Sequence, residues 1–379
     1  MNATPPAPFP LVEIAGDPRA RGRAHGEGAR ERVRLSAEHY VAQLSRIGLT
    51  RAEVAETALG FLPALDAFAP DLVEEMRGVA EGAGITLADV TLVNARTEVL
   101  QIAQRRSGGR DDDPDGCTGA VALPETTADG ALIHGQNWDW KADCVETSVV
   151  LRIRRTDGPD ILTFTEAGGL ARSGFNAAGI AITANYLECD RDYRATGVPL
   201  PFIRRRALEA AHYALAIRVV ATTQKSGSNN MMLSHQAGEA VDLECAPDEA
   251  FILHPEDGLL VHANHWRSPA ALSKLRETGL ASVPDSVYRD ERVRRALAGR
   301  RGRIDAEAFK AALFDDFGAP YSVCRPPLRK ESGNLSATVA MIVMRPSLGL
   351  MEIAPLPALN RAFTQYRLEM QSAPAAAAE

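Results

Sequence analysis

Several features are scarce in this 379-residue chain, and each scarcity excludes something. No apolar run approaches the roughly 20 residues a membrane helix needs, so no membrane partner is expected. Cysteine occurs five times, at Cys117, Cys144, Cys189, Cys245 and Cys324, an odd number with no C-x-x-C pair. A disulfide framework is therefore not expected, and a reducing cytoplasm is the expected compartment. Basic residues are not in excess: 42 Lys and Arg stand against 49 Asp and Glu, for a net charge of −7. The one basic cluster, Arg204-Arg205-Arg206, is too short for a nucleic-acid stripe, and no nucleic-acid partner is expected. The opening residues, Met1 to Pro10, lack both a cationic segment and an apolar core, so no secretory signal is expected. G-x-G-x-x-G, Walker and G-x-S-x-G patterns are missing, as is any internal repeat. This argues against the common nucleotide enzymes and the serine α/β-hydrolases, and no cofactor is expected.

What is present is an ordinary globular composition, 45% hydrophobic and 24% charged, long enough for one large domain or two. The first third reads as helical. Asp17-Pro18 supplies an N-cap and a proline at the first helical position. Asp71 to Ala80 puts Leu72, Val73, Met76, Val79 and Ala80 on one face, with Gly82 and Gly84 ending the helix. Thr86 caps a further stretch in which Val90, Val93, Ala95 and Leu100 face a core. From Ser107 to Gly116 the chain turns polar and acidic, through Asp111, Asp112 and Asp113, and reads as an exposed loop.

Beyond it the period changes to that of strands. Thr118–Leu123 and Ala131–Gly135 form a hairpin, as do Val149–Ile153 and Ile161–Phe164 around Asp157-Gly158-Pro159. Ile180–Asn185 is another strand, followed by a helical stretch from Pro201 to Thr223. Short strands follow near 231–234, 240–244, 250–253 and 259–263, then helices near 286–297 and 305–313, then strands 337–344 and 350–353. Hairpins with separate runs of helix indicate an α+β layered protein and not a doubly wound one.

Chemistry concentrates at Asp115-Gly116-Cys117-Thr118, where the acidic loop meets the first strand. A lone cysteine is more often inert packing than a nucleophile. The returning strand, however, carries Gly135-Gln136-Asn137-Trp138-Asp139-Trp140. A hairpin sets the start of its first strand beside the end of its second, so Cys117 and Asp139 should be neighbours.

These segments resemble, in order, those of the autoproteolytic acyl-coenzyme A:isopenicillin N acyltransferases, a family of N-terminal-nucleophile hydrolases related to penicillin V acylases and bile-salt hydrolases. The matching pieces begin with Asn94-Ala-Arg-Thr-Glu98, Asp115-Gly-Cys-Thr118 and Gly135-Gln-Asn-Trp-Asp139. They continue through Thr165-Glu-Ala-Gly168, Gly174-Phe-Asn-Ala-Ala-Gly179, Thr196-Gly-Val-Pro199, His262-Ala-Asn-His265 and Tyr321-Ser-Val-Cys-Arg325. The resemblance implies a four-layer αββα sandwich. It implies self-cleavage between Gly116 and Cys117, giving a helical pro-segment of residues 1–116 as a tightly bound small subunit and a catalytic domain of 117–379. In such a site the freed α-amino group acts as base for its own thiol, and with pKa values of about 7.7–8.0 and about 8.5 the pair needs little tuning.

By the same resemblance Asp139 holds the α-amino group, Asn264 and Asn185 donate to an oxyanion, and Arg325 pairs with the acid. Penicillin V acylases and bile-salt hydrolases carry arginine where this chain has Gln136, which favours the acyltransferase branch. The implied reaction is acyl transfer through a thioester on Cys117, from a linear amide or acyl thioester (acyl-coenzyme A included) to water or an amine. Two other readings stay open at this point: a peptidase-like protein that only processes itself, and a non-catalytic binding protein on the same scaffold. His262 and His265 form an H-x-x-H without a recognisable third ligand, so no metal is expected. Asn94 and Arg96 are expected to pack or pair, and the other four cysteines to be structural.

Overall fold

The computed structural model describes residues 6–107, 116–330 and 334–371. The acidic stretch Asp111–Asp113 and Asp115 lie outside the described residues. The chain opens with a strand, β1 (Leu11–Ile14), and then seven helices: α1 (Pro18–Gly28), α2 (Arg30–Arg46), α3 (Arg51–Leu59), α4 (Leu62–Phe68), α5 (Pro70–Ala83), α6 (Leu87–Asn94) and α7 (Arg96–Ser107). Their ends follow the sequence signals. Asp17 accepts from Ala20 N–H at the start of α1, and Thr86 and Asp89 form a reciprocal capping box at the start of α6. Gly84 alone, at φ 67°, terminates α5, while Gly82 lies inside the helix. The stretch beginning at Thr86 breaks at Ala95 into two helices.

The reason Gly82 stays helical is packing. α1 and α5 cross so closely that a Cβ on Gly22 would lie 1.9 Å from the Glu75 carbonyl oxygen, and one on Gly78 would lie 2.2 Å from that of Arg19. Gly26 and Gly82 face the partner backbone at 2.4 and 2.3 Å in the same way. Four glycines spaced four apart on two helices make a seam that no larger residue fits.

The remaining chain builds two sheets. Strands β2 (Cys117–Ala122), β3 (Ile133–Lys141), β11 (Leu259–His262), β13 (Leu335–Arg345), β14 (Leu350–Pro355) and β15 (Thr364–Arg367) form one, in the order β11-β2-β3-β13-β14-β15, with β12 (Leu328–Arg329) beside β13. The other holds β1, β4 (Ser148–Ile153), β5 (Ile161–Glu166), β6 (Ser173–Asn176), β7 (Ile180–Tyr186), β8 (Asn229–His235), β9 (Glu239–Cys245) and β10 (Ala250–Leu253) in that order. β2 and β3 pack against β7 between the sheets. Helices α8 (Leu200–Glu209) and α9 (Tyr213–Thr222) cover the second sheet. α11 (Ser286–Ala298) and α12 (Ala306–Leu313) cover the first, after the short α10 (Pro269–Leu272). The result is the expected α+β, four-layer αββα sandwich.

Both hairpins form as read, with Cys117 opposite Trp138 and Val149 opposite Thr165. β1, β6, β12 and β15 are additional to that reading, and the helical stretch 201–223 divides in two near Ala210. β1 is the edge strand and pairs in parallel with β4, Leu11 with Val150 through Ile14 with Ile153, so the N-terminal segment shares a sheet with the rest of the chain. Among the described residues no helix is long and apolar enough to cross a membrane.

Candidate active site

Cys117 is the first residue of β2 and is buried at 3% exposure on the floor of a cavity. Its Sγ lies 4.0 Å from the Asp139 carbonyl oxygen, as the hairpin geometry predicts. Its main-chain N–H donates to Asn264 Oδ1 at 2.7 Å. Gly116 precedes it with no room to spare: a Cβ there would meet the Arg325 guanidinium at 2.4 to 2.9 Å.

Asp139 is fully buried on β3, opposite a one-residue irregularity in β13 at Thr338 and Ala340. Such bulges re-aim side chains beside functional sites. The Thr338 hydroxyl accepts from Arg325 N–H at 2.8 Å and donates to Asp139 Oδ1 at 2.6 Å. Asp139 Oδ2 lies 3.1 Å from Arg325 Nε, but the pair is not aligned, and Oδ2 has no hydrogen-bond partner among the described residues. Burial pushes this carboxyl up to about 7, against the opposing pull of Arg325, Arg289 and Thr338.

The charges continue outward in alternation. Arg325 Nη2 bonds Asp285, and Asp285 Oδ2 accepts from Arg289 Nε at 2.6 Å. Arg289, fully buried on α11, then returns to the cysteine. Nη1 donates to the Cys117 carbonyl and the Thr118 hydroxyl, each at 2.8 Å, and Nη2 donates to Asn264 Oδ1 at 2.9 Å. A guanidinium has no acceptor, so it fixes which way the Asn264 amide faces: Oδ1 toward Arg289 and the Cys117 N–H, Nδ2 away. Nδ2 donates to Tyr186 O at 2.9 Å and has a second hydrogen to give.

Asn185, also lining the cavity, is held comparably. Its Nδ2 donates to His262 O at 3.0 Å and its Oδ1 accepts from Gln136 at 2.6 Å. Ser173 completes the brace by donating to Gln136 Oε1 at 2.9 Å. The sequence-named residues Cys117, Asp139, Asn264, Asn185 and Arg325 therefore converge. Arg289, Asp285 and Thr338 belong to the same assembly and were missed.

His262 and His265 stack, with ring centroids 6.2 Å apart, but their partners differ. His262 Nε2 meets Glu244 at 2.7 Å and Asp242 at 3.8 Å, while His265 Nδ1 meets the Ser286 hydroxyl at 2.8 Å. No cluster of three or more metal-ligating side chains occurs among the described residues. Asn94 bridges Val90 O, Gly168 O and Leu170 N–H, and Arg96 pairs with Glu166 at 2.7 Å. Both are the packing and pairing roles expected of that motif. Cys144, Cys189, Cys245 and Cys324 are buried free thiols.

Cys117 lines a cavity formed between the N-terminal helices and the second sheet. α6 and α7 supply one wall through Val93, Thr97, Leu100 and Gln101, and β5, β7 and α8 supply the other. Two facing sheets covered by helices, with a cysteine heading an inner strand, frame this cavity. The chain belongs to the acyl-coenzyme A:6-aminopenicillanic acid acyl-transferase family, whose model matches residues 126–354, a span that includes Asp139, Asn185, Asn264 and Arg325. It is 28% identical over 337 residues, 88% of each chain, to the acyl-coenzyme A:6-aminopenicillanic-acid-acyltransferase 40 kDa form of Emericella nidulans. A match of that length in this chain necessarily spans the Gly116–Cys117 junction. Among solved structures, a conjugated bile acid hydrolase from Clostridium perfringens is similar at 13% identity and a TM-score of 0.48, over 68% of this chain and 93% of that one. The penicillin V acylase of Agrobacterium tumefaciens is similar at 15% identity and a TM-score of 0.42, over 62% and 82%.

Proposed function

We propose that the protein cleaves itself before Cys117 and then transfers acyl groups through that residue. Maturation begins when Sγ adds to the Gly116 carbonyl carbon and the Gly116–Cys117 C–N bond breaks. The acyl group moves to sulfur, and water then hydrolyses the thioester. The products are a Gly116 carboxylate and a free Cys117 α-amine. In turnover the α-amine takes the thiol proton, and the thiolate attacks the carbonyl of a linear amide or thioester. The second hydrogens on Asn264 and Asn185 Nδ2 bond the oxyanion. The leaving amine or thiol departs with a proton, and water or an amine releases the acyl group from sulfur.

The observation that carries this reading is the environment of the Cys117 main-chain nitrogen. Asn264 Oδ1 already accepts from it, and Asp139, whose carbonyl lies 4.0 Å from the Cys117 thiol, holds a carboxylate oxygen with no hydrogen bond among the described residues. An amide nitrogen uses one acceptor, whereas an α-ammonium has three protons to place, and an unused carboxylate oxygen on Asp139 supports the latter. Gly116, pressed on Arg325, suits a scissile residue that must have no side chain.

The test is intact mass and N-terminal sequencing of the purified protein. Wild type is expected as two associated fragments, Met1–Gly116 and Cys117–Glu379, and Cys117→Ala as one chain. A folded wild type that stays whole through days of incubation, or a Cys117→Ala protein cut at the same bond, removes the reading. A matured protein forming no acyl adduct on Cys117 with any amide or thioester would leave only self-processing.

A further inference from the structure

The three arginines 204–206 on α8 point to three different fates. Arg205 is fully buried and pairs with Glu75 at 2.8 Å and Glu209 at 3.0 Å, and Arg206 pairs with Asp71 and Glu209. Arg204 instead lines the cavity that holds Cys117, at 5% exposure, and its Nε has no hydrogen-bond partner among the described residues.

Buried arginines are normally paired, because a desolvated cation with unused donors is costly. The surroundings do little to offset that cost. Arg96 and Arg172 line the same cavity, adding like charge, and Arg96 is committed to Glu166. The nearby carboxylate of Glu98 is pushed up by its own burial, toward the neutral form. Burial first, then Arg172 and Arg96, push Arg204 down to about 9. A cation held in this way inside a binding cavity is complementary to an oxyanion delivered by a ligand, which a guanidinium grips through two parallel N–H bonds.

We propose that Arg204 anchors an anion subsite, so that one of the two substrates carries a carboxylate or phosphate group that docks there while its reacting group reaches Cys117. The proposal rests on the assignment of Cys117 as the acyl carrier only for its second half; anion binding itself needs no chemistry.

Two matched substrate pairs separate the possible sources of the anion. The first is an N-acylglycine against its N-acylglycinamide, which differ by a carboxylate. The second is one acyl thioester on a phosphorylated carrier and on the same carrier without phosphate. With matured enzyme, the anionic member of one pair is expected to have a kcat/KM about tenfold or more above its neutral partner. The pair concerned tells carboxylate from phosphate. Arg204→Met should collapse that ratio at least about tenfold whatever happens to the absolute rates, and Arg204→Lys, which keeps the charge but not the fork, should retain part of it. Ratios near one in both pairs, or an unaltered ratio in Arg204→Met, overturn the proposal. Titration of full-length Cys117→Ala with the N-acylglycine and with inorganic phosphate gives a readout independent of the acyl carrier. Binding of either there that Arg204→Met weakens supports the subsite even where turnover fails. Binding of neither, in a protein whose wild type turns over neutral substrates, removes the subsite and leaves the function standing.

Discussion

At the scale of single residues, the site is a closed circuit of charge around one cysteine. Asp139, Arg325, Asp285 and Arg289 alternate in sign from the β3 carboxylate back to the Cys117 carbonyl, and each is buried. Truncating one member strands the next, which is more damaging than the net worth of the pair suggests. Asp139→Asn is expected to impair maturation or turnover severely, and Asn264→Ala to lower kcat by about 10²–10³ on fully cleaved enzyme. Near-normal rates in both would remove them from the site. A second prediction concerns His262. Burial alone would lower it, but Asp242 and Glu244 outweigh burial and raise it to about 9. A histidine raised on folding contributes stability that is fully present below its unfolded value, near 6.5, and lost as pH climbs through 9. Wild-type Tm should therefore fall between pH 6.5 and 9, by the equivalent of up to about 3 kcal/mol, and His262→Gln should flatten that slope. Asp139 adds a fall of the same sign that is largely complete by pH 7, and the substitution leaves it in place. Equal slopes in the two proteins would refute the pairing. Cys117 and Asp139 were legible because hairpin register alone makes them neighbours. Arg289 was not, because Asp285 and Arg289 spaced four apart on a helix read like any solvated ion pair. Arg204 was hidden likewise, inside a triplet that reads as a weak basic run.

At the scale of elements, the helical first third, most of the strands and the α+β class follow from periodicity and turn chemistry, the αββα order was implied by the family resemblance, and the exceptions have physical causes. β1 is four residues whose partner strand lies more than a hundred positions away, so nothing local marks it. The α1–α5 crossing was misread because glycine near a helix end ordinarily signals termination, whereas Gly82 with Gly22, Gly26 and Gly78 serves close approach. Gly78→Ala raises helix propensity and yet should destabilise, since its Cβ would sit 2.2 Å from a backbone oxygen and the helices would have to part. A loss of roughly 1–3 kcal/mol, or more, is expected by calorimetry of the full chain. Gly299→Ala, where the nearest atom would be at 3.5 Å, serves as the control and should cost nothing. A neutral Gly78→Ala would mean the two helices are looser than described.

At the scale of the whole molecule, the parts on either side of Gly116 are not separable bodies. β1 completes a sheet belonging to the later chain, Glu75 and Asp71 pair with Arg205 and Arg206, Arg96 pairs with Glu166, and Tyr366 donates to Phe9 O. Several of these pairs are buried, where salt screens little. The two fragments of a cut molecule should therefore co-elute in 1 M salt, and residues 117–379 produced alone should show no turnover, lacking one cavity wall. Separation in salt, or an active isolated fragment, would contradict this. Consider then the sheet that runs across the junction. Its β1–β4 pairing joins residues brought together while one continuous backbone held them at high effective concentration. After the cut, the same atoms must meet as two solutes, against the full entropy of association. The working enzyme would thus be a product with no way back: its assembly instructions belong to a polymer that its first chemical act destroys.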